Sequence, residues 1–188
     1  MENEKKKLSD LAYTITVDNY DKAFGEVQKR FEFPRNIVFT VLVALVAAYN
    51  LYMAIKVPTN NNTQVMIVGV SIAFLLILWI TPLKRRKTLK EALSTIEDDS
   101  YTAEVFEDSI KITTVVKPDE NGNIPEIAPK IIFYETDEPY VMEIPDEFVI
   151  YIKKQMFYVI PKKYLSDEQT ELLRKELSEK AKKFYNQK

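Results

Sequence analysis

The chain has 188 residues and carries 26 Lys and Arg against 28 Asp and Glu, so its net charge of −2 argues against a nucleic-acid partner. It contains no Cys and no His, which excludes disulfides, thiol nucleophiles, zinc sites built on these residues and every catalytic arrangement that needs a histidine. Its three glycines are too far apart for a phosphate-binding loop, so we expect no cofactor and no enzymatic activity.

The N-terminal segment, residues 1–36, predicts a strand followed by a helix. Apolar side chains alternate with smaller or polar ones from Leu11 to Val17, which is typical of a strand with one buried face. Asp18 or Asn19 can cap the helix that follows, and Pro34 marks its end. We expect this segment to lie in the cytoplasm, because basic residues flank the two apolar runs that follow it.

Two apolar runs form the centre of the chain. Residues 37–55 and 65–83 contain no charged side chain, and a helix of that length covers the roughly 30 Å hydrocarbon core of a bilayer. The polar stretch between them is too short to fold alone, so residues 37–83 predict an antiparallel transmembrane hairpin. The alternative is a helical hairpin buried in a soluble core, but such helices usually carry a polar stripe that is missing here.

Basic residues set the expected orientation of this hairpin. Lys29, Arg30 and Arg35 precede the first run and a basic block, Lys84–Lys87, follows the second, whereas Lys56 is the only basic residue in the turn. The positive-inside bias therefore predicts a multi-pass protein with both termini in the cytoplasm. Neither run contains an acidic or basic residue that would build an ion or proton pathway, so a transporter is not expected.

Small residues spaced four apart suggest where helices approach closely. Ala44 and Ala48 share one helix face, and Gly69 and Ala73 share another. Such pairs could close the hairpin or make a dimer. Asn50 is the one strongly polar side chain in the first run, and we expect it to hydrogen-bond the other helix or a water.

The remainder predicts a basic linker helix over residues 84–98 and a β-rich domain over 99–188. Ser166 and Gln169 have capping-box spacing, and the helix they open has an apolar stripe that we expect to continue to Phe184 and to cover the open end of the sheet. The predicted strands are residues 101–106, 109–116, 130–134, 140–144, 147–153 and 156–160.

Two stretches carry a resemblance to a known family. FVIYIKKQMFYVIPKKYLS, residues 148–166, and YTITVDNYDKAF, residues 13–24, flank a two-span hairpin as in the YcxB-like family of small bacterial membrane proteins, which the chain resembles over nearly its whole length. The resemblance implies a bacterial cell-membrane protein of the α+β class. Its cytoplasmic domain would be a pleckstrin-homology-like (PH-like), strongly bent antiparallel sheet capped by a C-terminal helix, and the family's role is unassigned.

These features favour a non-enzymatic, membrane-anchored binding module whose partners are the membrane, anionic headgroups, and a protein partner or second copy. Two alternatives stay open: an immunity or stress-protection protein against a toxin or antimicrobial peptide, and an enzyme that uses carboxylates on a lipid. Lys153–Lys154 and Lys162–Lys163 could form one basic patch near the ends of two adjacent strands, and solvated charges in turns are the alternative interpretation of these pairs. The headgroup candidates are Lys84, Arg85, Arg86, Lys87, Lys153, Lys154, Lys162 and Lys163.

Overall fold

A computed structural model describes residues 6–57, 62–94, 99–116, 127–153 and 156–187. It divides into two compact units, of which one is Phe24–Ala92 and the other combines Met1–Ala23 with Leu93–Lys188. We call them the hairpin unit and the β unit. The described residues combine helices with two β-sheets, so the chain belongs to the α+β class, as predicted.

The elements follow one another along the chain with few interruptions. They are β1 (Lys7–Ile15), α1 (Val17–Val27), a π-helical turn (Gln28–Glu32), α2 (Phe33–Lys56), α3 (Asn62–Ser94), β2 (Asp99–Phe106), β3 (Ser109–Val115), β4 (Lys130–Phe133), α4 (Tyr134–Asp137), β5 (Tyr140–Glu143), β6 (Glu147–Ile152), β7 (Met156–Pro161), a 3₁₀ turn (Lys162–Tyr164), α5 (Asp167–Lys180) and β8 (Lys183–Asn186).

The hairpin unit contains two helices that are long and apolar enough to cross a membrane. Most of the large apolar side chains of α2 and α3 are exposed, as expected for surfaces that face lipid instead of a protein core. Helix α3 continues without a break through Pro82 and the basic block to Ser94. The predicted extension of the second apolar helix by basic residues is therefore observed up to that point.

The first sheet of the β unit joins segments that are distant in sequence. Its order is β1-β2-β3-β4 with antiparallel neighbours throughout, and β1 pairs with β2 so that Tyr13 lies opposite Tyr101. Leu11, Tyr13 and Ile15 are buried, which confirms the predicted one-sided strand. Because β1 and β2 are neighbours, both apolar helices lie in the connection between two adjacent strands of one sheet.

The second sheet has the order β7-β6-β5-β8, with β8 parallel to β5 and the other pairs antiparallel. Every residue of the central strand β6 is buried, so both of its faces contribute to the core. Leu173 and Leu177 of α5 are fully buried as well. Burial of this kind contributes about 25 cal/mol per Å² of apolar surface.

Helix α5 begins as predicted but ends earlier. Ser166 and Gln169 form the expected capping box. The helix stops at Lys180, and Phe184, which the sequence predicts on its apolar stripe, lies instead in β8 opposite Val141. The prediction is wrong there because extended residues 183–186 gain backbone pairs with β5 that another helical turn would not provide.

Candidate functional site

Polar side chains connect the two long helices within the hairpin unit. Pro82 lies inside α3 and has no amide hydrogen, so the carbonyl of Leu78, four residues earlier, loses its helical hydrogen bond. Asn36 of α2 supplies the missing donor, with Nδ2 3.2 Å from Leu78 O. Asn36 is 1% exposed, and its Oδ1 atom has no hydrogen-bond partner among the described residues. The contact thus leaves one buried acceptor free.

Further hydrogen bonds strengthen the same region. Gln28, also buried, donates from Nε2 to the Pro82 carbonyl at 3.0 Å. Trp79 donates from Nε1 to Thr40 Oγ1 at 3.0 Å, and Thr40 donates in turn to the Asn36 carbonyl at 2.8 Å. The bond from Gln28 links the segment before α2 to α3, and the bond from Trp79 links α3 to α2.

A cavity of about 190 Å³ adjoins this network, and we call it the interhelical cleft. One wall is apolar, and the rest combines Asn36 with two guanidinium groups and one carboxylate. Arg35 and Arg85 are both exposed, and neither has a hydrogen bond or ion pair within the described part of the chain. The lining residues are Glu32, Arg35, Asn36, Phe74, Ile77, Leu78, Thr81, Pro82 and Arg85.

The basic block Lys84–Lys87 lies on α3 with all four side chains exposed. Lys87 Nζ is 3.7 Å from Glu91 Oε1, a helical ion pair of small energetic value. The Arg86 guanidinium lies beside Gly25, with Nη2 3.6 Å from the position a Cβ would take. Of the four, Arg85 is the one that lines the interhelical cleft.

The predicted small-residue pairs lie at exposed positions of α2 and α3. Ala44 and Ala48 are exposed, as are Gly69 and Ala73, and nothing lies within 4 Å of a Cβ built on Gly69. That these pairs close the hairpin or make a dimer stays a prediction. Asn50 donates to Val46 O at 2.9 Å in its own helix instead of reaching the other helix.

Lys153 and Lys162, two of the lysines that the sequence places in one basic patch, lie apart in the described part of the β unit. In the β6–β7 register Glu147 lies opposite Pro161 and Ile152 opposite Met156, so Lys153 follows one end of this hairpin and Lys162 the other. At about 3.3 Å per residue, a strand of this length separates the two ends by nearly 20 Å. Lys153 is paired with Asp137 at 3.0 Å, and Lys154 lies outside the described residues.

Lys162 is held in place by the protein itself. Its Nζ is 2.8 Å from Glu143 Oε1, 2.7 Å from Ile144 O and 3.3 Å from Pro145 O, and it lies 5.0 Å from the centre of the Phe148 ring. An ammonium group has three donors, so these contacts use all of them. Lys162 thus fixes the β5–β6 turn. The neighbouring Lys163 lies 4.7 Å from the centre of the Tyr164 ring.

Glu143 is the acceptor that organises this corner of the β unit. Its side chain is 5% exposed, and Arg174 of α5 donates to both carboxylate oxygens, with Nε 2.9 Å from Oε2 and 3.0 Å from Oε1. The hydrogen bonds from Arg174 lower the pKa of the Glu143 carboxyl, burial opposes them, and Lys162 adds to the lowering. The carboxylate therefore joins β5, α5 and the 3₁₀ turn.

Glu147 differs from Glu143 in that its pKa is raised instead of lowered. It is fully buried, its Oε2 accepts from Asn19 Nδ2 at 2.9 Å, and its Oε1 has no partner among the described residues. Burial raises the pKa of Glu147 to about 7, against the lowering effects of Asn19 and of nearby Lys22. Asp146 and Asp18 add smaller upward contributions.

Asn19 links this carboxyl to the start of α1. Thr16 caps the helix in place of the predicted Asp18 or Asn19: its Oγ1 accepts from Asn19 N at 3.4 Å, and its own backbone N donates to Asn19 Oδ1 at 3.1 Å. A cavity of about 470 Å³ lies at this corner, and its lining residues are Thr16, Asp18, Asn19, Lys22, Pro145, Asp146, Pro161, Lys162 and Lys163.

The described residues of these sites supply hydrogen bonds and charges. Within the described ranges, no group of three or more acidic residues could hold a metal ion. The carboxyl with the raised pKa, Glu147, has no exposed surface through which to contact a substrate. Comparisons with protein-family models, with curated proteins and with solved structures find no match.

Proposed function

We propose that the chain is a non-enzymatic binding module anchored in a bacterial cell membrane. In this proposal α2 and α3 span the bilayer with both termini in the cytoplasm, and the β unit presents a binding surface there. The observation that carries it is the pair of long helices whose apolar side chains are exposed along their length. Exposed apolar surface on this scale is stable in lipid and unfavourable in water.

The strand order supports the proposal that the β unit is PH-like and that the chain is YcxB-like. One antiparallel sheet has the order β1-β2-β3-β4, a second contains the antiparallel set β7-β6-β5, and a helix follows the last of these strands. That is the arrangement expected of a PH-like fold, here with the membrane helices inserted after β1 and with β8 added to the second sheet.

The outer face of β4 is the surface that we propose for partner binding. Ile131 is 40% exposed and Phe133 is 36% exposed, while the intervening Ile132 points into the core. In the sheet order of the described residues β4 is terminal. An exposed terminal strand with apolar side chains can pair with an extended segment of another protein.

Photocrosslinking in intact cells tests this function. A benzoylphenylalanine at Ile131 or Phe133 is expected to give a protein adduct, either with a partner or with a second copy of the chain. The matched control is the same probe at Lys175, an exposed residue of α5, where no adduct is expected. If no position gives an adduct and the chain remains monomeric in native membranes, the proposal is contradicted. Adducts of equal yield at Lys175 would show that β4 is not the binding surface.

A further inference from the structure

The interhelical cleft combines three chemical features within one small volume. Arg35 and Arg85 bring two guanidinium groups, Asn36 brings a buried Oδ1, and Phe74 and Ile77 form part of an apolar wall. The guanidinium groups can bind a phosphate, the buried oxygen can accept from a hydrogen-bond donor, and the apolar wall can contact an acyl chain. A phospholipid headgroup with its attached chain carries all three.

The orientation of the Asn36 amide follows from chemistry. The Leu78 carbonyl is an acceptor, so only the Nδ2 atom of Asn36 can face it, and Oδ1 must face away from that bond. A fully buried acceptor without a partner costs about 1–3 kcal/mol, which a bound donor would recover. An occupant that supplies a hydroxyl at this point is therefore favoured over one that does not.

Charge narrows the class of occupant. Arg35 and Arg85 carry two positive charges against one negative charge on Glu32, which itself accepts a hydrogen bond from Gln28 Nε2 at 3.4 Å. The formal sum is +1, and it matches a headgroup with a single phosphodiester charge and a neutral remainder. A zwitterionic headgroup would bring no net charge, and its ammonium would compete with the arginines.

We propose that the interhelical cleft binds one anionic phospholipid whose headgroup bears a free hydroxyl, the class to which phosphatidylglycerol belongs. The phosphodiester binds Arg35 and Arg85, the hydroxyl donates to Asn36 Oδ1, and an acyl chain lies along Phe74 and Ile77. This inference rests on the proposed membrane location of α2 and α3, because a lipid reaches the cleft only from a bilayer. The site is distinct from the surface on β4.

Native mass spectrometry of the full-length protein in detergent tests the lipid site, with three lipids of equal chain length. Phosphatidylglycerol is expected to bind saturably at one per chain. Phosphatidylmethanol, which has the same charge and no hydroxyl, is expected to bind at least fivefold more weakly, and phosphatidylcholine at least tenfold more weakly. Glycerophosphoglycerol, the soluble phosphodiester with the same headgroup and no acyl chain, should not compete at millimolar concentration.

Two double variants identify the residues responsible. Arg35→Gln with Arg85→Gln is expected to weaken phosphatidylglycerol binding at least tenfold. Lys29→Gln with Lys90→Gln removes the same charge from exposed positions of the hairpin unit outside the cleft, and binding should change less than twofold. Equal losses in both double variants, equal binding of the three lipids, or effective competition by glycerophosphoglycerol would overturn the lipid site.

Carbonate extraction of membranes separates this failure from failure of the proposed function. A protein that stays in the membrane pellet yet shows no lipid preference contradicts the lipid site alone. A protein that is released contradicts the membrane location on which both proposals rest.

Discussion

Replacing Glu143 by Gln is expected to lower the melting temperature of the full-length protein in detergent by roughly 5–10 °C, the shift that about 2–3 kcal/mol produces in a chain of this size. The substitution keeps the shape of the side chain and removes its charge. Arg174 then loses a charged acceptor that meets it at two oxygens, and Lys162 loses one of its three partners while remaining 19% exposed. Removing one member of a largely buried ion pair is costly because the other charge stays behind.

Glu171→Gln is the matched control for this variant. Glu171 also forms an ion pair with Arg174, but its side chain is 72% exposed, so its loss should cost less than about 0.5 kcal/mol. Thermal unfolding followed by circular dichroism compares the two proteins. Equal shifts for Glu143→Gln and Glu171→Gln would show that burial of the Glu143 network does not stabilise the fold.

The Glu143 network also has a defined pH dependence. Its folded pKa lies below the unfolded value, so the stabilisation is present above the unfolded pKa and is lost as the pH falls through the folded pKa. The difference in melting temperature between the wild type and Glu143→Gln should therefore shrink in acid.

Replacing Glu147 by Gln is expected to raise the melting temperature at pH 8, whereas Glu143→Gln lowers it. The folded pKa of Glu147 is about 7 and the ordinary value is 4.5, so the folded state binds more protons than the unfolded state between these two values. Stability contributed by this group therefore falls as the pH rises from about 4.5 to about 7 and is constant above that range. The stability that ionised Glu147 costs above this range is on the order of 3 kcal/mol, and an amide in its place does not ionise and avoids that cost.

Melting curves at pH 5 and pH 8 check this expectation. Near pH 5 Glu147 is largely protonated in the fold, so Glu147→Gln should melt within about 3 °C of the wild type. At pH 8 it should melt roughly 5–10 °C higher. Glu135→Gln is the matched control. It also removes one carboxylate, but from an exposed position of α4, and it should show no such difference between the two pH values. A Glu147→Gln protein that is less stable than the wild type by the same amount at both pH values would contradict a buried, readily protonated carboxyl.

Local patterns predicted the elements well because their signals are short-range. Local patterns identified β1 to β7, and the spacing of Ser166 and Gln169 identified the start of α5. They missed β8, whose residues were predicted as the end of that helix. The pairing of the strands could not be predicted in this way. Nothing in residues 7–15 indicates that β1 pairs with β2 across both apolar helices, because strand pairing depends on contacts that a local window does not contain.

The candidate sites were harder to predict for the same reason. Lys162 and Lys163 look like a solvated pair, but the turn between β5 and β6 supplies acceptors that occupy Lys162. In the hairpin unit the useful signal was available: Pro82 within an apolar run frees the carbonyl of Leu78, and Asn36 is a polar residue near the start of the opposite run. Small-residue spacing gave less information, since a Cβ built on Gly69 would meet nothing within 4 Å.

Cysteine labelling measures the topology of the hairpin most directly, because a chain without cysteine has no background signal. One variant carries Val57→Cys, at the exposed C-terminal end of α2, and the other carries Lys90→Cys, on α3 beyond the basic block. A membrane-impermeant maleimide applied to intact cells is expected to label Val57→Cys at once and Lys90→Cys only after the membrane is opened. Labelling of Lys90→Cys in intact cells would contradict a hairpin that holds the β unit in the cytoplasm. So would protection of both positions in intact cells together with release of the protein by carbonate.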